Sequence, residues 1–281
     1  MKKPAFPLVS ATWLRDNLQD PKLVLLDATI KKATATNASN ADVSYIPNTR
    51  FFDLKGDFSN PETTLPNMLP TPNAFEDACR KLGIQQDSHI VIYDRLGIYS
   101  SPRVWWMFNV MGFEHVAILD GGLPSWVEQG YPTEHSFTPL SKITEGDFKA
   151  NYQPNFVVTK EQVLSVMHNK DVLILDARSA GRFKGTEPEP RTDLKGGHIP
   201  NSVSLPYTEV LNQGKMKSEA ELQNIFSRFD LEKKQLIFTC GSGITACIIL
   251  LAATIAGYTK LSVYDGSWSE WGLLGDMPIE C

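Results

Sequence analysis

The chain has 281 residues, about twice the usual length of one domain, so two domains are the first expectation. Lysine and arginine number 27 against 32 aspartates and glutamates, a net charge of −5 without basic clusters, which argues against nucleic acid as the main partner. The longest apolar run, Ala246 to Gly257, falls short of the roughly 20 residues needed to cross a bilayer, and Ala5 to Val9 is too short for a signal-peptide core. No membrane association and a cytoplasmic location are expected. The four cysteines, Cys79, Cys240, Cys247 and Cys281, lack CxxC or Cys/His spacing, so neither a disulfide scaffold nor a metal site is suggested.

In chain order, Ser10-Ala-Thr-Trp13-Leu14 predicts a capped helix, and Leu23 to Ala28 an apolar strand ending on Asp27. The polar stretch Lys31 to Asp42 reads as a surface loop. After Ile46-Pro47-Asn48 and an irregular stretch to Pro72, a helix is expected over Asn73 to Leu82. His89 to Asp94 is a strand, and Ser101-Pro102 is expected to cap and start a helix that stops near Gly112. Val116 to Asp120 is a further strand, followed by Gly121-Gly122 and a short helix carrying Trp126.

The second half repeats this order. Asp27 and Asp176, each ending a strand, are 149 residues apart; Ile46-Pro47-Asn48 and Ile199-Pro200-Asn201 are 153 apart. Asp94 and Cys240 are 146 apart, while Gly112 and Gly257, Asp120 and Asp265, and Trp126 and Trp271 are each 145 apart. Such agreement marks a tandem duplication of one α/β unit of about 130 residues. Strands alternating with helices imply, in each unit, a mainly parallel sheet flanked by helices on both faces, with any ligand site beyond the carboxyl ends of the strands. The expected division is residues 1–138, a linker over 139–156 that overlaps the polar stretch Tyr131 to Asn155, and residues 157–281.

Chemistry concentrates at one point. Leu236 to Thr239 reads as a strand, Cys240 follows it, and Gly241-Ser242-Gly243-Ile244-Thr245-Ala246 leads into an apolar helix. In a strand-to-helix turn the backbone N–H groups and the positive helix end favour a thiolate. The first unit has Asp94 at this position, so only the second can perform thiol chemistry. Cys247, two helical turns past Cys240, reads as core, and Cys79 and Cys281 as incidental. His198 is expected to be structural, the tryptophans to fill cores, and Asp27 and Asp176 to bond loop amides, while Arg103 is a weak candidate for a cleft.

Two tandem units with strand-ending aspartates, Ile-Pro-Asn or His-Ile-Pro turns and late Asp-Gly…Trp segments resemble the rhodanese superfamily over nearly the whole chain. The loop Cys240 to Ala246 resembles the signature of the 3-mercaptopyruvate sulfurtransferases within it. Rhodaneses that use thiosulfate carry basic residues directly after the cysteine, where this chain has Gly241 and Ser242. The resemblance implies a Cys240 persulfide, 3-mercaptopyruvate as donor, thioredoxin or a small thiol as acceptor, and no cofactor or metal. It implies Ser242 as a catalytic group and Gly241, Gly243, Ile244, Thr245 and Ala246 as the loop that receives the substrate. Arg182 and Arg191 match the arginines that hold the donor's carboxylate, a task suited to a planar guanidinium. Their acidic neighbours Glu187, Glu189 and Asp193 offer both a competing role in surface ion pairs. The family's proposed relay also uses a histidine in a segment ending His-Met-Leu-Pro; here the segment reads Pro66-Asn67-Met68-Leu69-Pro70, and asparagine is no acid or base near neutral pH.

Three other readings compete. A thiosulfate sulfurtransferase shares the nucleophile and differs in donor. A cysteine phosphatase needs an arginine closing the loop, where Thr245, Ala246 and Cys247 stand instead. A non-catalytic persulfide carrier or interaction module would keep the loop and lack turnover.

Overall fold

The computed structural model describes residues 7–30, 44–229, 231, 234–273, 275 and 277–281. The loop expected over Lys31 to Asp42 lies outside the described residues. The chain divides into two units: Met1–Asn60, Leu69–Tyr152 and Gln213–Lys215 form the first, and Pro61–Met68, Gln153–Asn212 and Met216–Cys281 the second.

Unit 1 runs through β1 (Leu8–Val9), α1 (Ala11–Asn17), β2 (Leu23–Asp27), β3 (Arg50–Phe51), α2 (Pro72–Lys81), β4 (His89–Tyr93), α3 (Ser101–Val110), β5 (Val116–Leu119) and α4 (Gly122–Glu128). Its five strands pair in the order β1-β5-β4-β2-β3, every pair parallel. β2 and β4, in register with Leu25 opposite Val91, are buried from their second residue to their last. Strands covered on both faces require such unbroken apolar runs rather than alternation. Val9, Leu14, Leu25, Val91, Tyr93 and Trp126 pack into one core cluster.

A second packed group in this unit is aromatic. Phe52 stacks on Phe58, and Phe75 meets Phe58 and Phe108 edge to face. Phe148 joins them against Phe75 and Phe108 and is fully buried. Phe148 falls inside the stretch expected as a linker. The neighbouring backbone is fastened too, with Gly146 N–H donating to Arg80 O, Phe148 N–H to Ile84 O and Asn151 N–H to Met111 O. This stretch is structured within unit 1 as far as Tyr152, anchored by one buried ring and by backbone bonds.

Unit 2 contains β6 (Val157–Val158), α5 (Lys160–Val166), β7 (Val172–Asp176), α6 (Ala180–Phe183), β8 (Ser202–Ser204), α7 (Glu219–Phe226), β11 (Gln235–Thr239), α8 (Ala246–Ile255), β12 (Leu261–Tyr264) and α9 (Ser267–Trp271). Between β8 and α7, the short strands β9 (Leu211–Asn212) and β10 (Lys215–Met216) form a separate two-stranded sheet. The main sheet has the order β6-β12-β11-β7-β8, again wholly parallel. Element for element this is the order of unit 1, as the repeat requires. Val163, Ile174, Ile237, Tyr264, Trp268 and Trp271 form a core cluster. α8 is buried on every side except at Thr254, whose hydroxyl bonds Leu250 O at 3.0 Å. A helix apolar all round belongs inside a layered fold.

Two sequence expectations are corrected in detail. Ser101 does not cap α3: it is the first helical residue, the cap position falls on Ser100, and the Ser101 hydroxyl bonds Asp94 instead. Arg103, a weak candidate for a cleft by sequence, is fully buried, with its guanidinium 4.4 Å from the centre of the Trp106 ring.

Candidate active site

The strand β11 delivers Cys240 at its carboxyl end, with 1% of the residue exposed. Gly243, at φ 77°, occupies the left-handed region that turns the chain toward α8, a conformation costly for residues with a Cβ. Ile244 and Ala246 are buried, and Ser242 and Thr245 are partly buried. Thr245 stands at the cap position of α8 but makes no side-chain cap, so the amino end of this helix is left open. Among the described residues, no protein acceptor takes up the N–H groups of Ile244, Thr245 and Ala246. Three consecutive amides at the positive end of a ten-residue helix form a place for negative charge.

The first turn of α9 fixes the reacting end of this loop. Cys240 N–H donates to Ser267 Oγ at 3.2 Å, and Trp268 N–H donates to Cys240 O at 2.9 Å. Both the amide and the hydroxyl of Ser269 donate to Gly241 O, at 2.8 and 2.7 Å. Ser267 is buried at φ 50°, and its own hydroxyl proton goes to Tyr264 O at 2.8 Å. The Cys240 and Gly241 carbonyls are thereby turned toward α9. Ser267 and Ser269 touch the loop and were not singled out by sequence reasoning; the signal available was the repeated Asp265-Gly266…Trp271 block, read as a mark of the repeat and of the family.

An ion-pair chain reaches the loop from below. Arg178 Nε and Nη2 grip Asp176, with Nη2 2.6 Å from Oδ2. Arg178 Nη1 donates to Glu189 Oε1 at 2.8 Å. The other oxygen of Glu189 accepts from Arg182 Nη2 at 2.5 Å and Nε at 3.1 Å. Asp176, Arg178 and Glu189 have side chains no more than 1% exposed, whereas Arg182 keeps 20%. Burial opposes the charge on Arg178, but Asp176 and Glu189 outweigh it and hold its pKa above the ordinary guanidinium value. Its guanidinium also lies 4.1 Å from the centre of the Trp268 ring. The four charges alternate in sign, and the outermost is Arg182.

Arg182 stands against the Cys240 loop: a methyl group added at Gly241 would lie 3.1 Å from its Nη2. Arg191 does not share this position. It pairs with Asp193 through Nε at 3.0 Å and a second, shorter contact, at a side chain 39% exposed. The structure therefore brings Cys240, Gly241, Ser242 and Arg182 together and leaves Arg191 in a surface ion pair. Ser242 has a further neighbour in its unit, Asn67, whose Nδ2 is 3.0 Å from the hydroxyl oxygen.

The remaining candidates are structural. Cys247 is fully buried and its thiol points to Gly243 O at 3.3 Å. Burial, reinforced by Glu76, pushes the Cys79 thiol well above the usual range, which makes it a poor nucleophile. His198 stacks on Phe183 and its Nδ1 is 2.9 Å from Phe183 O. Among the described residues, no group of three or more His, Cys, Asp or Glu side chains is placed to hold a metal ion, and no helix is long and apolar enough to cross a membrane.

The model of the rhodanese-like domain matches residues 10–129 and again residues 159–273. The chain belongs to the rhodanese-like family. Of the two matched copies, only the second ends its central strand on a cysteine, Cys240, where the first has Asp94. Among family members, the 3-mercaptopyruvate sulfurtransferase of Escherichia coli (strain K12) is 38% identical over 276 residues, covering 97% of each chain. A rat protein named thiosulfate sulfurtransferase is also 38% identical over 276 residues, covering 94% of this chain and 91% of its own. The crystal structure of SseA from Escherichia coli, presented as a 3-mercaptopyruvate sulfotransferase with the rhodanese fold, superposes with a TM-score of 0.83 at 35% identity, over 95% of this chain and 100% of that one.

Proposed function

We propose that the protein is a 3-mercaptopyruvate sulfurtransferase that works through a persulfide on Cys240. Overall identity separates the donors little, because relatives named for mercaptopyruvate are 38 to 40% identical and one named for thiosulfate is 38% identical. The observation that carries the choice is the contact between Arg182 and Gly241. A side chain at 241 would crowd that guanidinium, so the cation of the site stands beside the loop and no basic side chain follows the cysteine. A single guanidinium suits one carboxylate; a compact dianion such as thiosulfate calls for cations at the sulfur itself.

In the first half-reaction the Cys240 thiolate attacks the sulfur of the donor. An S–S bond forms, the C–S bond breaks, and its electron pair leaves with the three-carbon fragment as the enolate of pyruvate. Protonation at carbon completes pyruvate, while the donor's thiol proton stays with the persulfide or passes to solvent. The step balances without an outside oxidant or reductant. The N–H groups of Ile244, Thr245 and Ala246 hold the negative charge on sulfur, Arg182 holds the carboxylate, and the Ser242 hydroxyl serves the carbonyl. In the second half-reaction a thiolate acceptor, thioredoxin or a small thiol, attacks the outer sulfur and restores Cys240.

Intact-protein mass spectrometry after exposure to 3-mercaptopyruvate should show a gain of one sulfur atom, about 32 Da, located on Cys240. Its absence would overturn the reading. Comparing kcat/KM for 3-mercaptopyruvate and thiosulfate decides the donor: a clear preference for thiosulfate would replace this proposal by the thiosulfate reading, and stable loading without turnover would point to a persulfide carrier.

A further inference from the structure

Asn67 belongs by its contacts to the same unit as the catalytic loop. Its backbone is left-handed, at φ 59°, a conformation asparagine tolerates better than most residues other than glycine. From there its carboxamide nitrogen lies 3.3 Å from the backbone oxygen of Ser242 and 3.0 Å from Ser242 Oγ. A backbone carbonyl oxygen can only accept, so the atom that faces it must be the N–H end of the carboxamide. The same nitrogen therefore donates to the hydroxyl oxygen as well. Ser242 Oγ is occupied as an acceptor from that side, and its one proton is directed away from Asn67.

We infer that Asn67 is a positioning residue that turns the Ser242 hydroxyl into a fixed hydrogen-bond donor toward the substrate, rather than a group that passes protons. The inference rests on the sulfurtransferase reading. As the C–S bond of a β-thiol keto acid breaks, negative charge grows on the carbonyl oxygen of the departing enolate. A hydroxyl already aimed by its neighbour stabilises that oxygen without reorganising. A carboxamide does not ionise near neutral pH and cannot take the serine proton. Ser242 accordingly keeps its proton throughout, and the proton that completes pyruvate at carbon comes from water.

Two variants test this in the full chain. Asn67→Asp has nearly the same shape but only accepts, so it draws the Ser242 proton to itself. Asn67→Gly removes the carboxamide and still suits the left-handed backbone. For both, kcat with 3-mercaptopyruvate should fall roughly 10 to 100-fold while KM changes less than about threefold, because the interaction strengthens in the transition state. The rate of Cys240 alkylation by iodoacetamide should match the parent, which reports an intact loop. The decisive arm is the double variant: Ser242→Ala combined with Asn67→Asp should be no slower than Ser242→Ala alone. Parent-like kcat in the Asn67 variants, or losses that multiply in the double variant, would overturn the inference while leaving the sulfurtransferase reading intact. A parent protein that gains no sulfur from the donor would remove both.

Discussion

The two units carry the same strand-to-helix loop in two chemical states. After β4, Asp94 folds its carboxylate into its own loop: Oδ2 accepts from the amides of Tyr99, Ser100 and Ser101 at 2.8, 3.0 and 3.0 Å and from the Ser101 hydroxyl at 2.8 Å, and Oδ1 accepts from Leu96 N–H at 3.0 Å. Counted back by the 145 residues that separate the helices, Tyr99, Ser100 and Ser101 correspond to Ile244, Thr245 and Ala246. Those are the three amides that, among the described residues, have no protein acceptor after β11. The backbone clamp is shared too, since Leu123 N–H donates to Asp94 O as Trp268 N–H does to Cys240 O. Unit 1 thus displays an anion held in the cradle, and unit 2 presents the cradle with a thiol at its edge. One loop is closed by its own side chain; the other is left open. Burial nevertheless raises the Asp94 pKa, with the amide and hydroxyl donors offsetting only part of the desolvation.

Removing each loop's central residue should have opposite consequences. Cys240→Ser should abolish persulfide loading and lower turnover at least about 10³-fold, with the fold unchanged, since loss of a nucleophile is seldom compensated. Steady-state rates and the mass assay check it. Asp94→Ala should instead leave persulfide loading on Cys240 in place and cost stability, because several buried donors lose their acceptor: about 2 to 4 kcal/mol, read by denaturant unfolding. Equal activity losses in the two variants would break the comparison. Arg182→Ala should reduce kcat/KM for 3-mercaptopyruvate roughly 10 to 100-fold, the scale of a lost charge-assisted contact, with Arg191→Ala losing less. The smallest effect is expected of Gly241→Ala, about threefold to tenfold, because its methyl presses on a side chain that has some freedom to retreat. Kinetics with both donors tell whether the guanidinium or the loop was disturbed.

Much of this was legible in the sequence because it is local or repeated. The strand ending on Cys240, the apolar helix behind it, and the matching blocks around Asp94 and Trp126 all follow from runs of a few residues. The parts that were not legible depend on contacts between distant segments. Ser267 and Ser269 reach Cys240 and Gly241 because β12 lies beside β11, and the repeated block that contains them does not say what they touch. Glu189 looked like one more surface carboxylate, yet its side chain is buried between two arginines. The same buried pairing separates Arg182 from Arg191, which by sequence had equal standing. Asn67 stood out as a departure from the family pattern, and its role became readable once its partner 175 residues away was known. Ser101 misled because a serine before a proline is a common helix start, whereas here the stronger acceptor was the buried carboxylate of Asp94.

The clasp of α9 on the Cys240 loop also orders events during synthesis. A growing chain that has passed β11 and α8 already possesses the cysteine and the open helix end, but neither the hydroxyl that receives the Cys240 amide nor the donors that hold the two carbonyls. These arrive only when the segment through Ser269 has left the ribosome and settled beside β12. Until then the loop lacks the fastening that sets its geometry.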